Sequence, residues 1–285
     1  MSSVKVIGLT DSTSFYAIEN ALHNLVQEDD KFSYTAKTYL EAEYEKELKN
    51  LALEYKGDYI SHTESVLAYK ADGEYIGGLR EFITYAKDHL GYSEAISPAF
   101  FQSKASQAMN EELKTHSGRF AFMDLQIDES TTERIIIELD ETKCPLTTSN
   151  FLALCVGESN LLHYMGSPIH RVVRDGYIQG GDIVSSSGAD GKSIYGDTFR
   201  DECFELTFDE AGVIAMCHGD GSHTNASQFI ITVEPLPWMN KQAVAFGKVV
   251  KGLNIIREIS KLPTMNERPI DEVKIVNCGE VDLNA

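Results

Sequence analysis

Five cysteines are the residues of this chain whose possible chemistry is easiest to define. They all stand in the second half of the sequence, as Cys144, Cys155, Cys203, Cys217 and Cys278. Their number is odd, and no two of them form a Cys-x-x-Cys motif. This pattern favours free thiols in a reducing compartment over a disulfide scaffold. Because the first half has no cysteine, we expect no thiol redox chemistry there.

Two other sequence patterns superficially suggest a binding site for a metal ion or a phosphate group, but both motifs are incomplete. Residues 188–193, Gly-Ala-Asp-Gly-Lys-Ser, superficially match a phosphate-binding loop, but that motif needs a glycine where Ser186 stands. Cys217, His218 and His223 could ligate a metal, but the sequence signals no further ligand to complete the site. We therefore expect neither a metal nor a cofactor.

Charge and hydropathy narrow the class of protein. The chain has 285 residues with 25 basic and 44 acidic side chains, a net charge of −19. An acidic surface is unsuited to a phosphate backbone, so nucleic acid is not an expected partner. No apolar run approaches the roughly 18 residues of a membrane helix, and the first residues lack the features of a secretory signal. We expect a cytoplasmic protein with no membrane partner.

Small, polar and charged residues at 103–118 predict a linker between two domains. The first domain, 1–102, is predicted as α/β in the order strand, helix, strand, helix, strand, strand, helix. This order resembles the thioredoxin-like fold, closest to the glutaredoxins. That family carries a Cys-x-x-Cys motif where this chain has Thr10–Ser14. The resemblance therefore implies a domain that binds or positions something without redox work.

The second domain, 119–281, is predicted to be mainly β, with a short tail at 282–285. Its strand-like runs are short and punctuated by glycine, and two helices are expected at Thr147–Cys155 and Leu253–Leu262. Short strands at regular spacing are typical of closed antiparallel barrels. We predict a closed eight-stranded barrel with two capping helices.

Six segments of the second domain resemble the cyclophilins, a family of peptidyl-prolyl cis-trans isomerases. These segments are Cys144–Phe151, Ile169–Arg171, Gln179–Asp182, Gly191–Gly196, Thr224–Phe229 and Phe246–Val249. They occur in the family's order and with its spacing. The tail Asn266–Ile270 further resembles a divergent cyclophilin subgroup that has an extra N-terminal domain and is known from the ciliary axoneme.

The chemistry that the resemblance implies is rotation about an X–Pro bond. The barrier is about 18–20 kcal/mol because resonance gives the C–N bond double-bond character. A guanidinium directed at the prolyl nitrogen stabilises the twisted amide, so no nucleophile, proton shuttle or metal is needed. An apolar pocket must hold the proline ring meanwhile.

The resemblance assigns polar roles to five residues of this chain. Arg171 matches the family's catalytic arginine, and Gln179 matches the glutamine that holds the arginine and the substrate carbonyl. Gln228 matches a second substrate-facing glutamine, Gly188 a backbone contact, and Trp238 the tryptophan at the groove rim. The polar machinery is therefore predicted to be present.

The predicted proline pocket departs from the family pattern. Gly176 replaces an aromatic residue, and Tyr177 follows it; Ile230 replaces the second pocket phenylalanine. Met239 stands in place of a leucine, and Ala243 in place of a histidine. Losing one aromatic wall would weaken proline binding by about 10- to 100-fold. The ring of Tyr177 could refill the gap, although adjacent strand residues point to opposite faces.

Next to this pocket, Cys217-His218-Gly219 replaces the family's Ala-Asn-Ala, so Cys217 and His218 also count among the predicted substrate-binding positions. Two functions stay open. The first is a peptidyl-prolyl isomerase of weak activity that binds proline-containing segments. The second is a non-catalytic scaffold of the ciliary axoneme, with microtubule proteins as partners and the barrel as a binding module.

Overall fold

The computed structural model describes residues 3–28, 32–92, 97–128, 131–157, 162–219 and 221–283. The chain divides into two compact units, Met1–His116 and Ser117–Ala285. Of the predicted tail 282–285, residues 284 and 285 lie outside the described residues. Within the described ranges, the structure contains no helix long and apolar enough to cross a bilayer.

The first unit is a four-stranded sheet with helices on both faces. Its strands are β1 (Ser3–Leu9), β2 (Ser33–Tyr39), β3 (Val66–Lys70) and β4 (Tyr75–Gly77). Its α-helices are α1 (Thr13–Glu28), α2 (Glu41–Tyr55), α3 (Leu79–His89) and α4 (Gln102–Thr115), with 3-10 turns at Gly57–Ser61 and Pro98–Phe101. The predicted element order from the first strand to α3 is confirmed.

The sheet of the first unit has the strand order β2-β1-β3-β4. Strand β1 runs parallel to β2 and antiparallel to β3. It is central and therefore buries residues toward both faces: Val4 and Val6 pack with α1, and Ile7 packs with Tyr44 and Leu51 of α2. A near-continuous apolar run is what a strand covered on both faces requires.

The predicted linker 103–118 is wrong for most of its length, because helix α4 occupies it. Ala105 and Met109 are buried on α4, and Ala105 belongs to the same core cluster as Phe15 of α1. The Nζ atom of Lys104 lies 2.8 Å from a carboxylate oxygen of Glu19, also on α1. Polar composition hid a helix whose buried face carries only a few small and flexible apolar residues.

The second unit is built on eight antiparallel strands in the order β14-β5-β6-β11-β9-β10-β8-β7. These are β5 (Arg119–Gln126), β6 (Thr132–Leu139), β7 (Ile169–Val173), β8 (Tyr177–Gly180), β9 (Val213–His218), β10 (Asn225–Thr232), β11 (Ala245–Lys251) and β14 (Lys274–Glu280). A short hairpin, β12 (Thr264–Met265) and β13 (Arg268–Pro269), stands apart from this sheet. The second unit also contains the helices α5 (Pro145–Val156) and α6 (Leu253–Ser260) and a 3-10 turn at Pro237–Met239.

The sheet is curled, but among the described residues no continuous ladder of hydrogen bonds joins its two end strands. The predicted full closure of the barrel is therefore wrong. Strands β14 and β7 are its two ends, and an isolated bridge between Pro168 and Lys274 joins the approach to β7 with β14. The backbone N–H of Ile169 also donates to the carbonyl of Val273 at 2.8 Å. The two ends therefore meet through a few backbone bonds.

An aromatic group fills the inside of the curled sheet. Phe151 of α5 lies against Phe229 of β10 with ring centroids 5.6 Å apart, edge to face. Phe246 of β11 and Tyr164 complete the group, and the hydroxyl of Tyr164 donates to the carbonyl of Ser227 at 2.7 Å. This core fixes β10, whose outward-facing residues reach the candidate site.

Candidate functional site

Strands β7 and β8 bring the predicted polar residues together. Arg171 of β7 lies opposite Gln179 of β8 in the antiparallel ladder. Tyr177 shares the face of Gln179, because residues two apart on a strand point the same way. Ile178, between them, points into the core and is fully buried. The predicted site residues Arg171, Gln179 and Tyr177 therefore share one outer face.

Arg171 does not bond to Gln179 in the way that the family resemblance implies. Its Nε donates to a carboxylate oxygen of Glu267 at 2.7 Å. This hydrogen bond raises the pKa of the guanidinium above its ordinary value, against the opposing effect of partial burial. The guanidinium carbon also lies 5.6 Å from the ring centroid of Tyr177. The cation is therefore already engaged before any substrate arrives.

The hairpin β12–β13 holds Glu267 in place. Its two turn residues, Asn266 and Glu267, both have positive φ, 52° and 64°. Positive φ at both central residues is typical of a type I′ turn, where the second position favours glycine. The carbonyl of Glu267 accepts a 2.6 Å bond from the N–H of Val172, and Arg268 donates to the carbonyls of Ser186 and Ser187. These bonds fix the turn at Glu267 itself and at the following residue, Arg268.

Sequence reasoning missed Glu267 as a site residue. The hairpin strands have two residues each, too few to show an alternating pattern. The signal that could have found it is the Asn266-Glu267 pair, since asparagine readily adopts positive φ in turns.

Gln228 is committed to a network within the protein. Its Oε1 accepts a 2.8 Å bond from Nε2 of Gln179, and its own Nε2 donates to the carbonyls of Gly188 and Asp190 at 2.9 and 2.8 Å. A side-chain amide has two donor hydrogens, and both are used here. Gln228 therefore couples β8 and β10 to the segment 182–190.

The segment 182–190 is organised around the buried carboxylate of Asp182. It accepts backbone N–H bonds from Ser185 and Gly188, each at 2.8 Å, and from Val184 at 3.0 Å. Burial opposes ionisation, but hydrogen bonds from Ser185, Gly188 and Val184 outweigh it and hold the pKa of this carboxyl well below its usual range. Asp182 was not predicted as a site residue, yet it shapes the backbone around Gly188.

His170 packs against this segment. The residue is 7% exposed, and a Cβ added to Gly188 would lie 2.5 Å from its Cδ2 atom. Gly188 also has φ of +95°, so both space and backbone conformation favour glycine there. Burial lowers the pKa of His170. A packed, neutral imidazole therefore fills the space beside Gly188 and serves a structural role.

The altered pocket is closed by its own side chains. Ile230, Met239 and Ala243 belong to one buried cluster with Phe208, and Ile230 is only 2% exposed. The ring of Tyr177 packs against this cluster. Tyr177 therefore does turn toward the pocket, because its side chain shares the face of Gln179. Phe208, which sequence reasoning did not place here, supplies a second aromatic ring.

The remaining predicted residues lie around this cluster. Gly176 precedes β8, and its N–H donates to the carbonyl of Val173 at 3.0 Å, so it forms the β7–β8 turn rather than a pocket wall. Trp238 is 67% exposed in the 3-10 turn that contains Met239. Cys217 packs against the pocket cluster, and burial raises its pKa to about 12.

His218 lies at the end of β9 and contacts two backbone carbonyls. Its Nδ1 is 3.0 Å from the oxygen of Gly219, and its Nε2 is 2.8 Å from that of Gln242. These contacts raise the pKa of His218, since only the charged ring can donate to both. His223 instead bonds to Asp201. Across the residues described, no three His, Cys, Asp or Glu side chains are grouped to hold a metal ion.

Comparison with known proteins agrees with this architecture. A family model described as cyclophilin type peptidyl-prolyl cis-trans isomerase/CLD matches residues 122–280. A human protein named "Probable inactive peptidyl-prolyl cis-trans isomerase-like 6" is 33% identical over 293 residues, covering 97% of this chain and 91% of the relative. A bovine protein of the same name is 33% identical over 289 residues, covering 98% and 92%.

The predicted resemblance to a divergent cyclophilin subgroup is thereby confirmed, since these relatives align along nearly the whole chain, N-terminal unit included. With the curled eight-stranded sheet and the family match over 122–280, the chain belongs to the cyclophilin-type peptidyl-prolyl cis-trans isomerase family.

Proposed function

We propose that the second unit binds X–Pro segments at the face of Arg171, Gln179 and Tyr177, and isomerises them only weakly. The observation that carries this proposal is the bond between Arg171 and Glu267. A carboxylate on the guanidinium cancels part of the positive potential that the twisted amide needs. The polar residues for binding are retained, while the electrostatic catalyst is partly neutralised.

The closed pocket supports the same conclusion. With Ile230 almost inaccessible, a proline ring meets the ring of Tyr177 and not a deep apolar floor. Because less apolar surface is buried on binding, less binding energy is available to stabilise the transition state. Weak binding and weak catalysis therefore share a structural cause. The name of these relatives, which calls them probable inactive, is in line with this proposal.

Titration of the isotope-labelled full chain with an X–Pro peptide tests the proposal. We expect amide shifts at Tyr177, Gln179 and Trp238, and much smaller shifts with the matched X–Ala peptide. Equal shifts with both peptides would mean that the face does not recognise proline and would overturn the proposal.

The alternative is a non-catalytic scaffold at the ciliary axoneme. The buried pocket favours a binding role over catalysis, while the ciliary setting rests on the sequence resemblance alone. Tagged protein expressed in ciliated cells tests it: enrichment along the axoneme would support the scaffold, and a signal spread evenly through the cytosol would contradict it.

For the first unit we propose a thioredoxin-like domain without redox function. The sheet order β2-β1-β3-β4 supports it, as does the 2.8 Å distance between the hydroxyl oxygens of Ser12 and Ser65. Ser12 lies just before α1, where a thiol exchange site would need a cysteine, and its partner Ser65 lies just before β3. Because a hydroxyl cannot replace a thiolate in disulfide exchange, the role proposed for this domain is positioning or binding.

A further inference from the structure

Two cysteines outside the candidate site lie in direct contact. The sulfur atoms of Cys144 and Cys203 are 3.1 Å apart, and Cys144 is 3.4 Å from the carbonyl oxygen of Ala245. A disulfide bond is about 2.05 Å long, so the sulfurs must approach by only about 1 Å. The contact alone therefore places the two thiols close to bonding distance.

A second, independent contact holds the backbone next to Cys203 close to the backbone that follows Cys144. Glu202, next to Cys203, accepts hydrogen bonds from the backbone N–H groups of Leu146 and Thr147, both at 2.9 Å. These residues form the first turn of α5, directly after Cys144. The carboxylate thus satisfies two of the free donors at the helix start. Because neighbouring residues are already docked, joining the sulfurs needs no large backbone movement.

The two thiols differ in access. Cys144 is fully buried, whereas Cys203 is partly exposed in the irregular segment 200–206. Burial raises the pKa of Cys144 well above its ordinary value. A soluble oxidant therefore reaches Cys203 first, and Cys144 acts as the second, resolving thiol.

We propose that Cys144 and Cys203 form a reversible intramolecular disulfide by exchange with a small-molecule disulfide such as glutathione disulfide. The thiolate of Cys203 attacks one sulfur of glutathione disulfide, whose S–S bond breaks, and one glutathione thiolate leaves and takes up a proton. The thiolate of Cys144 then attacks the sulfur of Cys203 and displaces the second glutathione. Two protein thiols are oxidised and one glutathione disulfide is reduced to two glutathiones.

The closed form has a measurable consequence. The two cysteines are 59 positions apart, so the bond closes a long loop of the unfolded chain. Restricting a loop of this length is expected to raise the melting temperature of the second unit by on the order of 10 °C. The bond also ties Glu202 to the start of α5. This modification does not depend on the proposed X–Pro binding.

The test is incubation of the full chain in glutathione buffers of increasing oxidised fraction, followed by acid quench, alkylation and peptide mapping. We expect a Cys144–Cys203 linked peptide lighter by two hydrogen atoms, and a fall in free thiols from five to three, because two of the five are consumed. Cys203→Ser should abolish the link and the melting shift, while Cys217→Ser should leave both.

Cys144→Val, of similar volume, removes only the resolving thiol. We expect a glutathione adduct to accumulate on Cys203 in this variant and to stay transient in the wild type. A lasting adduct on wild-type Cys203 would overturn the proposal, as would both thiols staying reduced in the most oxidising buffer. If Cys144→Val fails to fold, the wild-type and Cys203→Ser maps decide on their own.

Discussion

At the scale of single residues, Arg171 has two competing partners. An isomerase needs its charge directed at the prolyl nitrogen during rotation, but Glu267 accepts its Nε hydrogen at 2.7 Å. Both side chains of the pair are more than a third exposed, so solvent screens the attraction to about 1 kcal/mol at most. The pair therefore attenuates the site and does not block it.

Tyr177 provides the apolar contact of the proposed face. Replacing Tyr177 by alanine should weaken X–Pro peptide binding by about 10-fold, because loss of an aromatic contact costs about 1.5 kcal/mol. Peptide titration followed by fluorescence or NMR measures the change in Kd.

The matched control is Tyr177→Phe, which keeps the ring against the pocket cluster and should bind within about 2-fold of the wild type. Tighter binding by Tyr177→Ala would contradict this account, because it would show that the ring blocks a pocket that proline could otherwise enter.

At the scale of elements, the segment 182–190 depends on one buried carboxylate. Asp182→Asn keeps the size but removes the charge that accepts backbone N–H bonds from Val184, Ser185 and Gly188. We expect a loss of about 3 kcal/mol in the free energy of unfolding, since charge-assisted bonds are worth more than neutral ones. Urea unfolding and hydrogen exchange at Gly188 measure it.

The pH dependence follows from the lowered pKa of Asp182. Its folded pKa lies below its unfolded value of about 3.9, so the stabilisation is present above that pH and is lost as the pH falls further.

The matched control for Asp182→Asn is Asp190→Asn, at an exposed position of the same segment. It should change the free energy of unfolding by less than about 0.5 kcal/mol. Equal losses in the two variants would contradict the central role of Asp182.

Element prediction succeeded where the apolar pattern was clear and failed where the element was very short or mostly polar. The helices predicted at Thr147–Cys155 and Leu253–Leu262 are confirmed as α5 and α6, with bounds that differ by at most two residues. The β12–β13 hairpin was missed because two-residue strands are too short to show an alternating pattern. Glu267 lies in this hairpin and was missed for the same reason. Helix α4 was missed because its buried face carries only a few small or flexible apolar residues, among them Ala105, Met109 and Leu113, in an otherwise polar stretch.

At the scale of the whole molecule, α4 extends the first unit to His116. Ala105 is 1% exposed, so Ala105→Glu would bury a charge against α1. We expect the first unit to lose more than about 3 kcal/mol of stability, because an unpaired buried charge is costly. Thermal unfolding of the full chain should show an earlier transition for this unit only.

Ser106→Glu is the matched control, since Ser106 is the exposed neighbour of Ala105 on the same helix. It should leave the melting temperature unchanged within about 1–2 °C. An unchanged transition in Ala105→Glu would contradict the packing of α4 against the first unit.

The family could be predicted from sequence because six segments around Arg171, Gln179 and Gln228 keep their order and spacing. The state of the site could not, because it depends on side chains that meet only in three dimensions. Glu267 lies 96 positions from Arg171. The contact of the Tyr177 ring with the cluster of Ile230 and Phe208 likewise joins residues that are far apart in the sequence.

The central claim, a cyclophilin face attenuated by its own carboxylate, is tested most directly by the cis-trans exchange rate of an X–Pro peptide with the full chain, measured by exchange NMR. We predict slow catalysis by the wild type, about 5-fold faster catalysis by Glu267→Gln, and none by Arg171→Ala. Glu272→Gln, which removes an exposed carboxylate paired with Lys274, should match the wild type. An exchange rate for Glu267→Gln equal to or below that of the wild type would contradict the claim.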